Sequence, residues 1–223
     1  MRYKLIIFDL DDTLVDTAGS IGPLKLFDAL QVMVEAGLKI SSLNEAYKLL
    51  KKIDSTSPSG KETIKLFLAE IKAKDDFLTI GVKEYYENIR QDFTMSALED
   101  ATEILIQLKA QYHLALVSIG IESQQFLKMK KANLDPRLFD RIFIVQENSK
   151  KQWYEQLQRE FSCLPEEVLV CGDRFTSDLQ PAQELGFKTV HMRWGRGLKQ
   201  PIVEKVDYTI EKLKELLPIL DSV

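Results

Sequence analysis

The feature that most restricts how this 223-residue chain can fold is a series of short apolar runs rich in β-branched residues. They are LIIF (5–8), LALV (114–117), IFIV (142–145), VLVC (168–171) and KTVHM (188–192). Each is strand-length and continuous rather than alternating, the pattern of strands covered on both faces. From the second run onward they are separated by helix-length segments. Leu98, Ala101, Leu105 and Leu108 fall on one helical stripe, and Trp153, Leu157 and Phe161 on another. Leu179, Ala182 and Leu185 form a third, which Gly186 would stop. A sixth run, VDYTI (206–210), leads into the amphipathic segment EKLKELL. This repetition predicts an α/β fold, a doubly wound parallel sheet.

Residues 17–94 break the repetition, because they contain no strand-like run. They read as about four helices by apolar spacing. Pro23 could open one that runs to Gly37, and Ser42 with Glu45 matches the S-x-x-E capping box of the next. The polar stretch DSTSPSG (54–60) interrupts, KETIKLFLAEIKA resumes, and a fourth helix would carry Val82, Tyr85, Tyr86, Ile89 and Phe93. The expected organisation is an α/β core of 1–16 and 95–223 with an all-helical insertion of 17–94.

At the end of the first strand run, the segment DLDDTLVD places Asp9, Asp11, Asp12 and Asp16 within a few residues. In a doubly wound sheet, ligands bind at the carboxyl ends of the strands near the switch in strand order. Asp9 and Asp11, Ser118 after LALV, Lys150 and Lys151 after IFIV, and GDRFTSD (172–178) after VLVC would meet at that edge. Clustered carboxylates repel, by about 4 kcal/mol for two unit charges 4 Å apart at an effective dielectric near 20. A divalent cation offsets that repulsion, and an all-oxygen ligand set with room for water suits Mg²⁺. Such an ion would also let a carboxylate approach a phosphoryl dianion.

Together DLDDT (9–13), Ser118, a lysine at 150 or 151 and GDRFTSD resemble the four motifs of the haloacid dehalogenase superfamily. KMKKANLDPRLFDRIFIVQENSK (128–150) is similar to the segment joining its second and third motifs, and ELGFKTVHMRWGRG (184–197) to the strand after the fourth. Residues 17–94 resemble the helical cap that one large branch, including phosphoglycolate phosphatase and β-phosphoglucomutase relatives, inserts after the first motif.

The resemblance implies a Mg²⁺-dependent phosphatase acting on a small phosphorylated metabolite. Asp9 would be the nucleophile forming an aspartyl-phosphate, and Asp11 the general acid and base with a raised pKa. Thr13 would orient the Asp11 loop. Ser118 and the N–H groups after it, at Ile119 and Gly120, would hold phosphoryl oxygens. Lys150 would stabilise charge on Asp9, with Lys151 beginning the next helix. Asp9, Asp11 (by its carbonyl), Asp173 and Asp178 would surround the metal. Ile119 departs from the asparagine that many relatives carry there, and KKQ departs from the usual Lys-Pro of the third motif. The alternatives are a phosphomutase sharing the first step, or a phosphate-binding regulatory protein without turnover. A dehalogenase is disfavoured, since no leaving oxygen would need Asp11.

Other residues have plainer readings. Asp12 reads as a solvated turn residue and Asp16 as a helix cap; His113 and His191 read as packed or surface histidines, and Tyr85 and Tyr86 as cap core. SPSGKE (57–62) lacks the first glycine and the Ser/Thr of a phosphate loop, although Lys61 could face the substrate from a cap loop. The formal net charge of −4, from 30 basic and 34 acidic side chains, argues against a broad nucleic-acid or anionic-membrane footprint. No apolar run approaches the ~18 residues of a spanning helix. Cys163 and Cys171 have no metal-ligand spacing and read as small buried hydrophobes of a reducing compartment, so the cytoplasm is the expected location. A monomer or a homodimer is equally compatible.

Overall fold

The computed structural model describes residues 3–57, 59–88, 90–146, 149–195, 198 and 206–221. The described strands are β1 (Leu5–Phe8), β2 (His113–Ile119), β3 (Arg141–Val145), β4 (Val168–Gly172), β5 (Lys188–Met192) and β6 (Tyr208–Ile210). They form one 6-stranded sheet in the order β3-β2-β1-β4-β5-β6, with every pair parallel. The chain builds outward from β1 to β3, then returns to place β4 against the other side of β1. That reversal opens a crevice at the carboxyl ends of β1 and β4.

The apolar runs are continuous because both faces of the sheet are covered. Ile6 and Phe8 of β1, Leu114 and Leu116 of β2, and Leu169 and Cys171 of β4 enter one apolar cluster. The alternate residues Leu5, Ile7, Ala115, Val117, Val168 and Val170 enter a second on the opposite face. All of these are buried, and each large aliphatic contributes about 1.5–3 kcal/mol by leaving water. The helices α5 (Ala101–Lys109), α6 (Glu122–Lys131), α7 (Lys151–Glu160), α8 (Gln180–Glu184) and α9 (Leu216–Asp221) belong to this part of the chain. Cys163 and Cys171 are buried and unbridged, as their apolar setting suggests.

Between β1 and β2 lie α1 (Ile21–Glu35), α2 (Leu43–Asp54), α3 (Gly60–Glu70) and α4 (Asp76–Glu87). They enclose an apolar cluster of their own around Leu26, Leu30, Met33, Leu50, Ile64 and Phe67. Ser42 caps α2 by accepting from the Glu45 N–H, but the Glu45 side chain pairs with Lys48 at 2.9 Å, so only this half of the expected capping box forms. Ser59 does the same for α3 through the Glu62 N–H at 3.2 Å.

Some local readings change. α1 begins at Ile21, so Pro23 lies inside the first turn, where its missing N–H costs nothing. The helix ends where Gly37 turns into the left-handed region (φ 102°), and the Leu38 N–H reaches back to the Met33 carbonyl. Phe93 is not on α4. That helix stops at Asn88, whose backbone is extended, and Phe93 packs with the sheet-side cluster. Ile89 lies outside the described residues. Among the described residues, no helix is long and apolar enough to cross a membrane.

Candidate active site

Asp9 follows β1 directly, and its N–H donates to the Cys171 carbonyl of β4 at 3.0 Å. The backbone pairing across the crevice therefore sets the position of its carboxylate. Lys150, at the start of α7, is 1% exposed and extends its Nζ between two carboxylates. It lies 2.6 Å from Asp9 Oδ1 and 2.7 Å from Asp178 Oδ1. Lys151 points outward to Glu184 at 2.8 Å, so of the two lysines it is Lys150 that reaches Asp9.

The GDRFTSD segment makes a wide π-type turn, Phe175–Leu179, after Asp173. The turn folds Asp178 back beneath β4, where its Oδ2 accepts the Arg174 N–H at 2.9 Å and its Oδ1 accepts the Ser177 hydroxyl at 3.1 Å. A Cβ at Gly172 would sit 2.6 Å from the Asp178 Cβ, so the close approach requires glycine. Asp9, Asp173 and Asp178 each offer a carboxylate oxygen within 4.8 Å of the others. Among the described residues, Asp173 Oδ2 is buried without a hydrogen bond, its nearest cation being Arg174 Nε at 3.8 Å, which leaves room for a closer cation. Three carboxylates face the Lys150 ammonium, with the Arg174 guanidinium 3.8 Å from Asp173 Oδ2, and the negative charge that remains favours a cation. Burial pushes Asp9 up to about 7, helped by Asp178 and Asp11 and opposed by Lys150. Burial likewise raises Asp173, with Asp178, Asp9 and Asp12 adding to the effect against Arg174. His191 is fully buried, with its Nε2 3.1 Å from the Asp173 carbonyl.

Asp11 sits in different company. Lys128 of α6 donates to both its carboxylate oxygens, at 2.7 and 2.9 Å. Gln125 donates to Asp11 Oδ2 at 2.9 Å and to Ser118 Oγ at 2.6 Å, bridging the first and second motifs. Thr17 Oγ1 also donates to Asp11. Burial alone would raise the Asp11 pKa, but Lys128, Gln125 and Thr17 outweigh it and hold the carboxyl well below the usual range. The expectation of a raised value is therefore corrected: neighbouring carboxylates influence Asp11 less than a lysine in direct contact.

Several other expectations change at this level. Thr17 is the hydroxyl that reaches Asp11, whereas the buried Thr13 hydroxyl has no hydrogen-bond partner among the described residues. Asp12 is 3% exposed, left-handed at φ 56°, and accepts the Ala18 N–H at 2.8 Å, so it organises the loop rather than facing solvent. Asp16 caps the turn before α1 by accepting the Gly19 N–H at 2.9 Å, and it also accepts from Trp194 Nε1. The Gly120 N–H is committed to the Val145 carbonyl at 2.8 Å and is not free for a phosphoryl oxygen.

These groups line one cavity of about 700 Å³. From the sheet side come Asp9, Asp11, Ser177, Asp178, Asp173, Lys150, Ile119 and Gly120; from the helical insertion come Lys25, Lys61, Tyr85 and Tyr86. Tyr85 is buried in the insertion's core as expected, but Tyr86 is exposed at the cavity wall. Ser118 is buried and reaches the cavity group through Gln125. Gln124, Gln125, Lys128 and Lys25 were not apparent as site residues from the sequence. The first three lie in ESQQFLKMKK, whose polar composition resembles a solvated helix.

The haloacid dehalogenase-like hydrolase profile matches residues 6–192. The chain belongs to the haloacid dehalogenase-like hydrolases. Among curated relatives of this family, the glyceraldehyde 3-phosphate phosphatase of Pyrococcus furiosus is 29% identical, over 99% of this chain and 94% of its own length. Two solved structures show the same fold. A predicted phosphoglycolate phosphatase from Haemophilus somnus superposes with a TM-score of 0.71 at 23% identity, covering 98% of each chain. The magnesium-bound YfnB of Bacillus subtilis gives 0.66 at 22% identity, covering 99% of this chain and 100% of its own. An α/β core with a helical cap is thus the fold of this dehalogenase-like hydrolase.

Proposed function

We propose that this dehalogenase-like hydrolase is a Mg²⁺-dependent phosphatase that cleaves a small phosphomonoester through an aspartyl-phosphate on Asp9. One observation carries the reading: Lys150 lies between Asp9 and Asp178 at the β1/β4 crevice, beside an Asp173 oxygen that makes no hydrogen bond among the described residues. Asp9, Asp173 and Asp178, with the Asp11 carbonyl, would hold the ion. When bound, Mg²⁺ would supply positive charge that keeps Asp9 ionised and lowers the repulsion between its carboxylate and the phosphoryl group.

Asp9 then attacks phosphorus, and the bond to the leaving oxygen breaks. Lys150 fixes Asp9 in place and offsets charge on the phosphoryl oxygens. The Ser118 hydroxyl accepts from Gln125, which leaves its own hydrogen available to a phosphoryl oxygen. Asp11 protonates the leaving oxygen and afterwards takes a proton from the water that opens the aspartyl-phosphate. Its ionised state, held by Lys128 and Thr17, suits the second of these tasks. The first requires Asp11 to take up a proton from water, which becomes possible once the Lys128 contact loosens as substrate occupies the cavity. On this reading residues 17–94 act as the cap over the site, and Lys61 approaches the substrate from α3.

The names of the relatives point the same way, since a curated relative across nearly the whole chain is a phosphatase of a small phosphorylated metabolite. The test is phosphate release from 4-nitrophenyl phosphate and a panel of phosphorylated metabolites, with Mg²⁺ and with EDTA. Release that needs the metal and falls at least about 10³-fold in Asp9→Asn is expected. Absence of release from every compound, or full activity in Asp9→Asn, would overturn the proposal.

A further inference from the structure

Lys25 is the exception among the buried cations of this cavity. It is 8% exposed and projects from α1 of the cap toward α6 of the core. Its Nζ makes one hydrogen bond among the described residues, to the neutral Gln124 Oε1 at 2.8 Å. Lys150 has two carboxylates in contact, and Lys128 has Asp11. The carboxylates that act on Lys25 are already engaged. Asp28 is paired with Arg90 at 2.6 Å, Glu84 is bonded to Asn88, and Asp11 is held by Lys128. Burial and the charge of Lys128 lower the Lys25 pKa to about 8, consistent with an ammonium that lacks an anion. Burying a charge without a counter-charge is costly, and where it occurs in a cavity it marks a place for a ligand of opposite sign.

Position along α6 relates this ammonium to the reacting centre. Gln125 touches Asp11 and Ser118, and its neighbour Gln124 anchors Lys25 while its own amide donates to the Asn88 carbonyl at 2.7 Å. Asp11 is the proposed proton donor to the leaving oxygen, so the leaving alcohol must extend past it toward the cap. We infer that Lys25, held by Gln124, binds a carboxylate on the leaving group of the substrate, so that the preferred substrate is a phosphorylated hydroxy acid. This deepens the phosphatase reading and rests on it. Among the buried lysines of the cavity, Lys150 is used by Asp9 and Asp178 and Lys128 by Asp11, which leaves one buried ammonium and favours a single negative charge over a second phosphate. Lys61 and Glu87 also line the cavity, both exposed, with opposite charges, and Arg174 lines it on the Asp173 side, 3.8 Å from that carboxylate.

Two compounds that differ only at the relevant group test the inference: 3-phosphoglycerate, and glycerol 3-phosphate, in which CH₂OH replaces the carboxylate. Wild-type enzyme should favour the acid at least tenfold in kcat/KM, mainly through KM. In Lys25→Met that preference should collapse toward one, while Lys25→Arg should keep part of it. Parallel losses on both compounds in Lys25→Met, with the ratio unchanged, would make Lys25 a tether between cap and core and overturn the inference. Equal use of the two compounds by wild type would also overturn it. Calorimetric binding to Asp9→Asn, with and without Lys25→Met, separates this inference from the phosphatase reading. Tighter binding of the acid that depends on Lys25, without turnover of any compound by wild type, would sustain the carboxylate site and remove the phosphatase reading. Failure of both compounds to bind would overturn the carboxylate site.

Discussion

Asp9 and Asp11 are separated by one residue on the same loop, yet the protein treats them in opposite ways. Asp9 faces the strand-end cluster, where Asp173, Asp178 and a single lysine crowd around it, and its pKa is pushed up to about 7. Asp11 faces α6, where a lysine, an amide and a hydroxyl all donate to it, and its pKa is held low. One half of the site has too much negative charge and suits a divalent cation. The other half has positive charge left over at Lys25 and suits an anion. A phosphorylated substrate with a cation on one side and an anionic tail on the other would satisfy both halves. The polarity across the cavity is therefore as informative as the motif residues themselves.

The largest effect should come from breaking the acidic half. Lys150→Met would leave Asp9 and Asp178 buried beside each other without their shared ammonium. Loss of one partner from a buried ion pair costs about 3–5 kcal/mol. Urea unfolding without metal should show a loss of that size, together with loss of phosphatase activity. Added Mg²⁺ should recover part of the stability by linkage, because the variant's carboxylates retain a cation site. A variant as stable as wild type without metal would show that the two carboxylates are protonated rather than dependent on Lys150.

Lys128→Met tests the other half and should be milder. Asp11 would retain Gln125 and Thr17, and its side chain is 23% exposed against 9% for Asp9. A charge-assisted hydrogen bond contributes about 1.5–3 kcal/mol when both partners are held, so the loss should be at or below that range. Activity should fall mainly in kcat, since Lys128 acts by positioning Asp11. If KM rose alone, Lys128 would be a substrate contact instead.

The acidic half was readable in the sequence and the basic half was not, for a physical reason. Asp9, Ser118, Lys150 and Asp173 each follow an apolar strand run, and a parallel sheet brings strand ends to a common edge whatever lies between them. The choice of Lys150 over Lys151 follows from the same rule, because the helix that begins at Lys151 turns the second side chain outward. Gln124, Gln125 and Lys128 lie on a helix whose polar residues look solvated until the cap is placed against it. Lys25 occupies a cap helix of otherwise ordinary apolar spacing. Which face of α6 meets which face of α1 depends on the packing of the insertion, and periodicity does not encode that. Asp12 departs from a solvated turn residue for a related reason: its burial comes from a loop closing on Ala18 and from Gly195 beyond β5, where a Cβ would sit 2.8 Å from its Cγ.

The smallest expected effect concerns stability at Lys25, and its sign is unusual for a removed hydrogen bond. A lysine with its folded pKa lowered to about 8 from 10.5 binds fewer protons in the folded than in the unfolded chain between those values. Stability then rises with pH across that window, and the penalty of the buried ammonium is fully present below about pH 8. Lys25→Met removes the penalty and also the bond to Gln124. The net gain in ligand-free protein at pH 7 should be on the order of 1–2 kcal/mol. Urea unfolding of both proteins at pH 7 and pH 10 measures it, with the variant's advantage shrinking at the higher pH. A variant that is less stable than wild type at pH 7, with no dependence on pH, would mean that the ammonium is already compensated inside the protein. That outcome would erase the contrast between the two halves of the cavity, because the basic half would no longer need an anion from outside.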